Sequence, residues 1–194
     1  FPLNDVSALQ LSYPEVVDPV GLTDTALEVA VEVSDGGDWV EPPNARFLSS
    51  EVSADQAADL DVPRSTFRGL GALLGRPFIL REEANKGKPY SSEGKRNFLS
   101  ATAGQIITSI INESRAAYPQ MLRGVELGFT TSKDSLGKNW NKLDSVAYEP
   151  GTDLLRILDD MVARGICDWW MQGRTLMMVN ADSAAVVHDD RLTL

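Results

Sequence analysis

Tyr148-Glu-Pro-Gly-Thr-Asp-Leu-Leu-Arg-Ile-Leu-Asp-Asp-Met-Val-Ala-Arg-Gly-Ile-Cys-Asp-Trp-Trp-Met-Gln-Gly-Arg-Thr-Leu-Met-Met-Val-Asn180 decides the fold, because it reads as one helix feeding one hairpin. Pro150-Gly151 breaks the preceding segment, and Thr152 or Asp153 offers a side-chain oxygen to the first amides of a helix. Leu154, Leu155, Ile157, Leu158, Met161 and Val162 recur at helical spacing and make one apolar face. Gly165 follows where a left-handed residue closes a helix. Asp168-Trp-Trp-Met then meets Leu176-Met-Met-Val across a turn near Gln172-Gly173, with side chains suited to a pleated surface. Nothing in the stretch has catalytic chemistry. It builds a scaffold.

Working outward, the same design occurs upstream. Thr102-Ala-Gly-Gln105 has the spacing of a capping box, and Ile106, Ile107, Ile110 and Ile111 line one face of a helix ending near Ala117, before Tyr118-Pro119. Arg123 to Thr130 reads as a strand, 131–142 as a loop and Val146-Ala-Tyr148 as a returning strand. Aligning Gly104 with Gly151 lays Ile107, Ile110 and Ile111 over Leu154, Ile157 and Leu158. Either an internal duplication or the general demands of an amphipathic helix accounts for that match.

Residues 4–81 read as mostly β. Val6 to Tyr13 alternates, as does Leu27-Glu-Val-Ala-Val-Glu-Val33, which places Leu27, Val29, Val31 and Val33 inward with Glu28 and Glu32 outward. Asp35-Gly-Gly-Asp38 supplies a turn, Trp39-Val40 begins the return, and Pro42-Pro43 ends it or confines it to an edge. Arg46-Phe-Leu and Phe78-Ile-Leu are further short strands, and Ala54 to Leu60 is expected as a short helix. The glycine-punctuated stretch 66–75 has no settled local preference. The charged, polar stretch 81–97 reads as a solvated loop. The expected fold class is therefore α+β, with two β-barrel-like or β-sheet subdomains and two amphipathic helices in the C-terminal half. The expected domains are an acidic, mostly β subdomain over 1–84, a flexible loop over 85–97 and an α+β subdomain over 98–194.

The chain has 194 residues, and its apolar content of 43% supports folded cores. No apolar run approaches the roughly 20 residues of a membrane-spanning helix. The opening residues lack the basic start and apolar centre of a signal peptide. Phe1 at the start, and an ending Arg191-Leu-Thr-Leu that resembles a new strand, suggest a slice of a longer protein. A single cysteine, Cys167, allows no internal disulfide; its junction position suits a buried small apolar group better than a reactive thiol. One histidine, His188, makes a multi-histidine metal site or a histidine-based triad difficult.

The net charge of −10 is unevenly distributed. Residues 1–62 hold thirteen acidic and one basic residue, and residues 63–97 hold eight basic and three acidic. That polarity suits complementary faces in an assembly, or else reflects loop composition alone. The acidity disfavours sequence-independent binding to the phosphate backbone. Glu82-Glu83, Asp159-Asp160 and Asp189-Asp190 are adjacent pairs, not carboxylates facing each other across a cleft, and Asp159 and Asp160 fall on the polar side of a helix. No residues have zinc or calcium spacing, and no serine sits in a nucleophile elbow. No catalytic residue, metal or cofactor is expected. Among the tryptophans, Trp169 and Trp170 in one strand must point to opposite faces. One of them then serves as an interface anchor, unless a two-layer core buries both. Trp140 joins them as an interface candidate.

Thr102-Ala-Gly-Gln-Ile-Ile, Arg123-Gly-Val-Glu-Leu-Gly-Phe-Thr, Asp134-Ser-Leu-Gly-Lys-Asn-Trp, Tyr148-Glu-Pro-Gly-Thr-Asp-Leu-Leu-Arg-Ile-Leu and Asp168-Trp-Trp-Met-Gln-Gly-Arg-Thr-Leu, in that order, resemble the minor tail or tail-tip hub (baseplate hub) proteins of long-tailed bacteriophages, especially actinobacterial siphophages. The resemblance covers about Phe98 to Asn180, and more loosely the acidic β section through Val29-Ala-Val-Glu-Val, Gly37-Asp-Trp-Val-Glu-Pro and Arg46-Phe-Leu. It implies a non-enzymatic structural protein of the virion tail tip, a homotrimeric ring of pseudo-sixfold geometry that closes the tail tube and then passes DNA without specific binding. The implied partners are the distal tail protein, the tape-measure protein and a central fibre. A host-surface carbohydrate-binding or cell-wall-degrading module is the alternative expectation, and a generic adaptor domain a third.

Overall fold

The computed structural model describes residues 4, 6–12, 28–57, 60–79 and 94–183. It is an α+β fold with sheet subdomains, and the chain divides into two units. The first comprises Phe1–Ala72 with Met171–Arg174, the second Leu73–Trp170 with Thr175–Leu194. The division comes after Ala72, earlier than the expected boundary at 84.

The first unit is an open antiparallel sheet of β1 (Ala8–Ser12), β2 (Glu28–Ala30), β3 (Arg46–Ala57) and β4 (Leu60–Gly69), in the order β1-β4-β3-β2. Its longest feature is the β3–β4 hairpin, in register from Phe47↔Gly69 to Ala57↔Leu60 with one irregularity between Ser49 and Glu51. The short helix expected over Ala54 to Leu60 does not form. Local helix preference is weak, and the non-local ladder with β4 outweighs it. Ala45, Phe47, Phe67 and Leu70 form the core. Glycine at 69 is required by close approach: a Cβ there would lie 2.7 Å from Ser7 Oγ and 2.9 Å from the Ser7 carbonyl oxygen. The stretch left unsettled at 66–75 is the end of β4 followed by a 3₁₀ helix over Leu70–Gly75.

Beyond β2 the expected half-buried strand does not continue. Val31 still donates to Ala45, but Val33 and Val40 form only an isolated bridge, and Val33 is 52% exposed. Leu27 lies outside the described residues. Glu28, expected outward, is half-buried among arginines.

In the second unit, β5 (Arg96–Ala101) pairs antiparallel with β7 (Asp144–Tyr148). A separate sheet has the order β6-β9-β8, from β6 (Glu126–Leu127), β8 (Cys167–Gln172) and β9 (Thr175–Asn180), with β6 parallel to β9.

 The expected strand over Arg123 to Thr130 shrinks to Glu126–Leu127, because 119–124 forms turns in which Leu122 takes a positive φ of 53°. Arg96 and Asn97, expected in the loop 85–97, belong to β5, and 85–93 lie outside the described residues.

Helices α1 (Ala103–Ala117) and α2 (Leu154–Ala163) occupy the predicted places. Thr102 and Gln105 form both bonds of a capping box, whereas Asp153 rather than Thr152 caps α2, accepting from the Arg156 amide at 2.9 Å. Gly165 has φ +61°, as a left-handed helix terminator requires. The helices' apolar faces, Ile106, Ile107, Ile110 and Ile111 on α1 and Leu154, Ile157, Leu158 and Met161 on α2, are fully buried. Each such side chain contributes about 1.5–3 kcal/mol by leaving water. The apparent repeat is one of helical phase only: Gly104 lies inside α1, whereas Gly151 precedes the cap of α2. Phe78, expected in a strand, makes a single bridge to Asp153, and Leu80 lies outside the described residues. That bridge still serves a purpose, since the Pro77 carbonyl accepts from the otherwise unpaired first amide of α2, at Leu154 (2.7 Å).

Candidate functional site

The stretch Asp134-Ser-Leu-Gly-Lys-Asn-Trp140 folds around one buried carboxylate. Asp134 is 3% exposed. Its Oδ1 accepts from the amides of Leu136 (3.0 Å) and Lys138 (2.9 Å), and its Oδ2 from Asn180 Nδ2 (2.8 Å) and the Asn180 amide (3.3 Å). Asn180, at the end of β9, accepts in turn from the Asn141 amide at 2.8 Å and donates to the Asn139 carbonyl at 3.1 Å. Ser135 pairs with Met178 on β9 through both its amide and its hydroxyl, each at 2.8 Å. Its Oδ1 thus closes the loop on itself, and its Oδ2 holds the loop on β9. A carboxylate with four donors has little capacity left to bind or deprotonate a substrate.

Trp140, one of the three expected interface residues, is half-buried in the same region. Its Nε1 donates to the Thr130 carbonyl at 3.0 Å, and its ring meets Phe129 edge-on at 6.1 Å between centroids. Gly104 of α1 lies against it, since a Cβ there would sit 2.5 Å from Trp140 Nε1. Trp169 and Trp170 are both buried, 0% and 5% exposed. Neither presents an indole to solvent, and the structure does not bring the three together as one exposed patch. Cys167 is fully buried, and burial, helped by the Asp168 charge, pushes its thiol up to about 12.

The tryptophan that faces water is Trp39, 70% exposed, which the strand-parity argument passed over because it concerned adjacent tryptophans. Residues 32–40 are all exposed, and Val33 and Val40 are exposed to 52% and 51%. At the base of this ribbon, within the first unit, Arg46 contacts Glu28 (3.0 Å) and Glu41 (2.5 Å), and Arg174 also pairs with Glu28. Partial burial pushes the Glu28 carboxyl up, but the hydrogen bonds and charges of Arg174 and Arg46 outweigh it and hold the group below its ordinary value. The hydrogen bond to Glu41 raises Arg46 above its ordinary value against the effect of burial.

No protein family matches the chain, and no curated protein matches it.

Two recesses lie in the second unit. One, of 320 Å³, is lined by Lys142, Leu143, Asp144, Arg164 and Ile166. The other, of 480 Å³, runs along 145–149 and takes Thr152, Arg156, Asp160 and Arg164 from the region of α2. Arg164 bonds Asp144 at 2.5 Å and Asp160 at 3.4 Å, and Tyr148 donates to Asp160 at 3.2 Å. Burial, then the Asp160 charge, raises the Tyr148 hydroxyl above its ordinary value, so it is a poor acid or nucleophile near neutral pH. Asp159 and Asp160 are exposed on α2, as their polar-side position predicts. Arg96 and Glu113 form a buried pair at 2.8 Å that ties β5 to α1, with Arg96 also over the Phe98 ring at 4.3 Å. Among the described residues no group of three or more His, Cys, Asp or Glu could hold a metal ion, and no helix is long and apolar enough to cross a membrane. Glu82-Glu83, His188 and Asp189-Asp190 lie outside the described residues.

Proposed function

We propose that the chain is a non-enzymatic structural component of a bacteriophage tail tip, a hub subunit that closes the tail tube and takes part in host attachment and DNA delivery. The single observation that carries this reading is the use made of the stretch with the most specific resemblance. In Asp134 to Trp140 the buried polar groups fasten the loop to β9 and leave none poised for a reaction. Homotrimeric assembly, and contact with a distal tail protein, a tape-measure protein and a central fibre, follow from the same resemblance. The acidic surface suits a ring through which DNA passes without sticking.

Immunogold labelling of particles produced from the genome that encodes the chain tests the reading. Gold at the tail tip is the expected result; particles without label, or labelled on the head, would overturn it. Exposed Trp39 favours one alternative, a module that binds host-surface carbohydrate through an aromatic face. In that case purified cell-wall glycan binds the chain, and Trp39→Ala abolishes the binding.

A further inference from the structure

The smaller sheet of the second unit stops at two strands. Strand β7 pairs with β5 along one side, and among the described residues its other side has no backbone partner. Unpaired amides and carbonyls at an edge are a template for another strand, and proteins commonly blunt them with a bulge, a lysine or a proline. The outer edge of β5 is blunted in this way: its ladder is irregular between Phe98 and Ala101, and Ser100 takes a φ of +47°. Residues 146–148 have no such device. Their register with β5 is unbroken, and Ala147 is exposed. The recess of 480 Å³ runs along 145–149, with Thr152, Arg156, Asp160 and Arg164 as its other wall. Those four are spaced by four residues, so they form one stripe along α2 and its two ends. Glu149, Asp160 and Arg164 are engaged with Lys95, Tyr148 and Asp144. Arg156 is exposed, and its guanidinium pairs with no carboxylate among the described residues.

We propose that the free edge of β7 is a docking site for an extended segment of another polypeptide, which adds to the sheet as a third strand beside the α2 stripe. The backbone groups of the edge set the occupant's conformation, and Arg156 sets its charge: an Asp or Glu in the row of side chains that faces α2. A second copy of the chain suits the edge less well, because pairing two β7 edges brings a second α2, with its own Arg156, against the first. The site stands apart from the hub reading and holds for any role of the chain.

Selection of random short peptides against the full chain tests the site. The expected peptides share an acidic residue, carry no proline at their centre, and protect from hydrogen exchange those β7 amides that do not bond β5. Arg156→Glu, a change at an exposed position, weakens their binding roughly tenfold while leaving the circular dichroism spectrum unchanged. The same peptides with Lys in place of the acid then regain affinity for that variant and lose it for wild type. A selection that yields no peptide, protection at other amides, or binding indifferent to Arg156→Glu overturns the proposal. So does protection of the β7 amides that rises with protein concentration in the absence of peptide, which assigns the edge to a second copy. Each of these failures leaves tail-tip labelling, and so the hub reading, to be decided separately.

Discussion

Gly104 shows how one residue without a side chain ties a helix to a loop. The capping-box pattern places it in the first turn of α1, but nothing in that pattern says why it should be glycine. The reason is tertiary: the Thr130 carbonyl and Trp140 Nε1 occupy the space a Cβ would take, and the Thr130 backbone has no rotamer by which to withdraw. Gly104→Ala is therefore destabilising by about 1–3 kcal/mol despite alanine's better helix propensity. Urea unfolding checks the sign, because an unstrained site would instead gain stability. Asp134 has the same lesson. Its loop stood out in the sequence, yet the carboxylate's burial did not, since its partner Asn180 is 46 residues away. Trp39 was visible as a residue and not as an exposed one, because exposure depends on what fails to cover it.

At the scale of elements, the helices were legible because cap, apolar period and terminator agree locally: Thr102 with Gln105, Asp153 with Gly165. Strands were less legible. Pairing decides them, as with Ala54, whose segment is drawn into β3 by the long ladder with β4, and Leu127, whose strand is cut short by the turns over 119–124. The base of the exposed ribbon over 32–40 adds a pH dependence. Glu28 has its folded-state value held below its ordinary 4.5, so its ion pairs stabilise the fold above that value. The contribution fades as pH falls through the folded-state value. Denaturant unfolding of wild type and Glu28→Gln therefore shows a gap at neutral pH that closes well below 4.5. A gap independent of pH would contradict the assignment.

At the scale of the whole molecule, the α+β class follows from alternating runs early in the chain and two helical periods late in it. The division into units was not legible at its true place, because the hairpin tip Met171–Arg174 belongs with the first unit although it is far from it in sequence. Asn44 marks that membership: its amide donates to the Met171 carbonyl at 2.8 Å and its Oδ1 accepts from the Met171 amide at 2.7 Å. The proposed hub role depends on this scale most of all, because such a subunit would work through its surfaces and the copies that cover them. The most direct measurement of the proposed role is a cryo-EM reconstruction of particles produced from the genome that encodes the chain. Three copies in a ring around the tail-tube axis is the predicted result; a tip whose ring is built without this chain would contradict it.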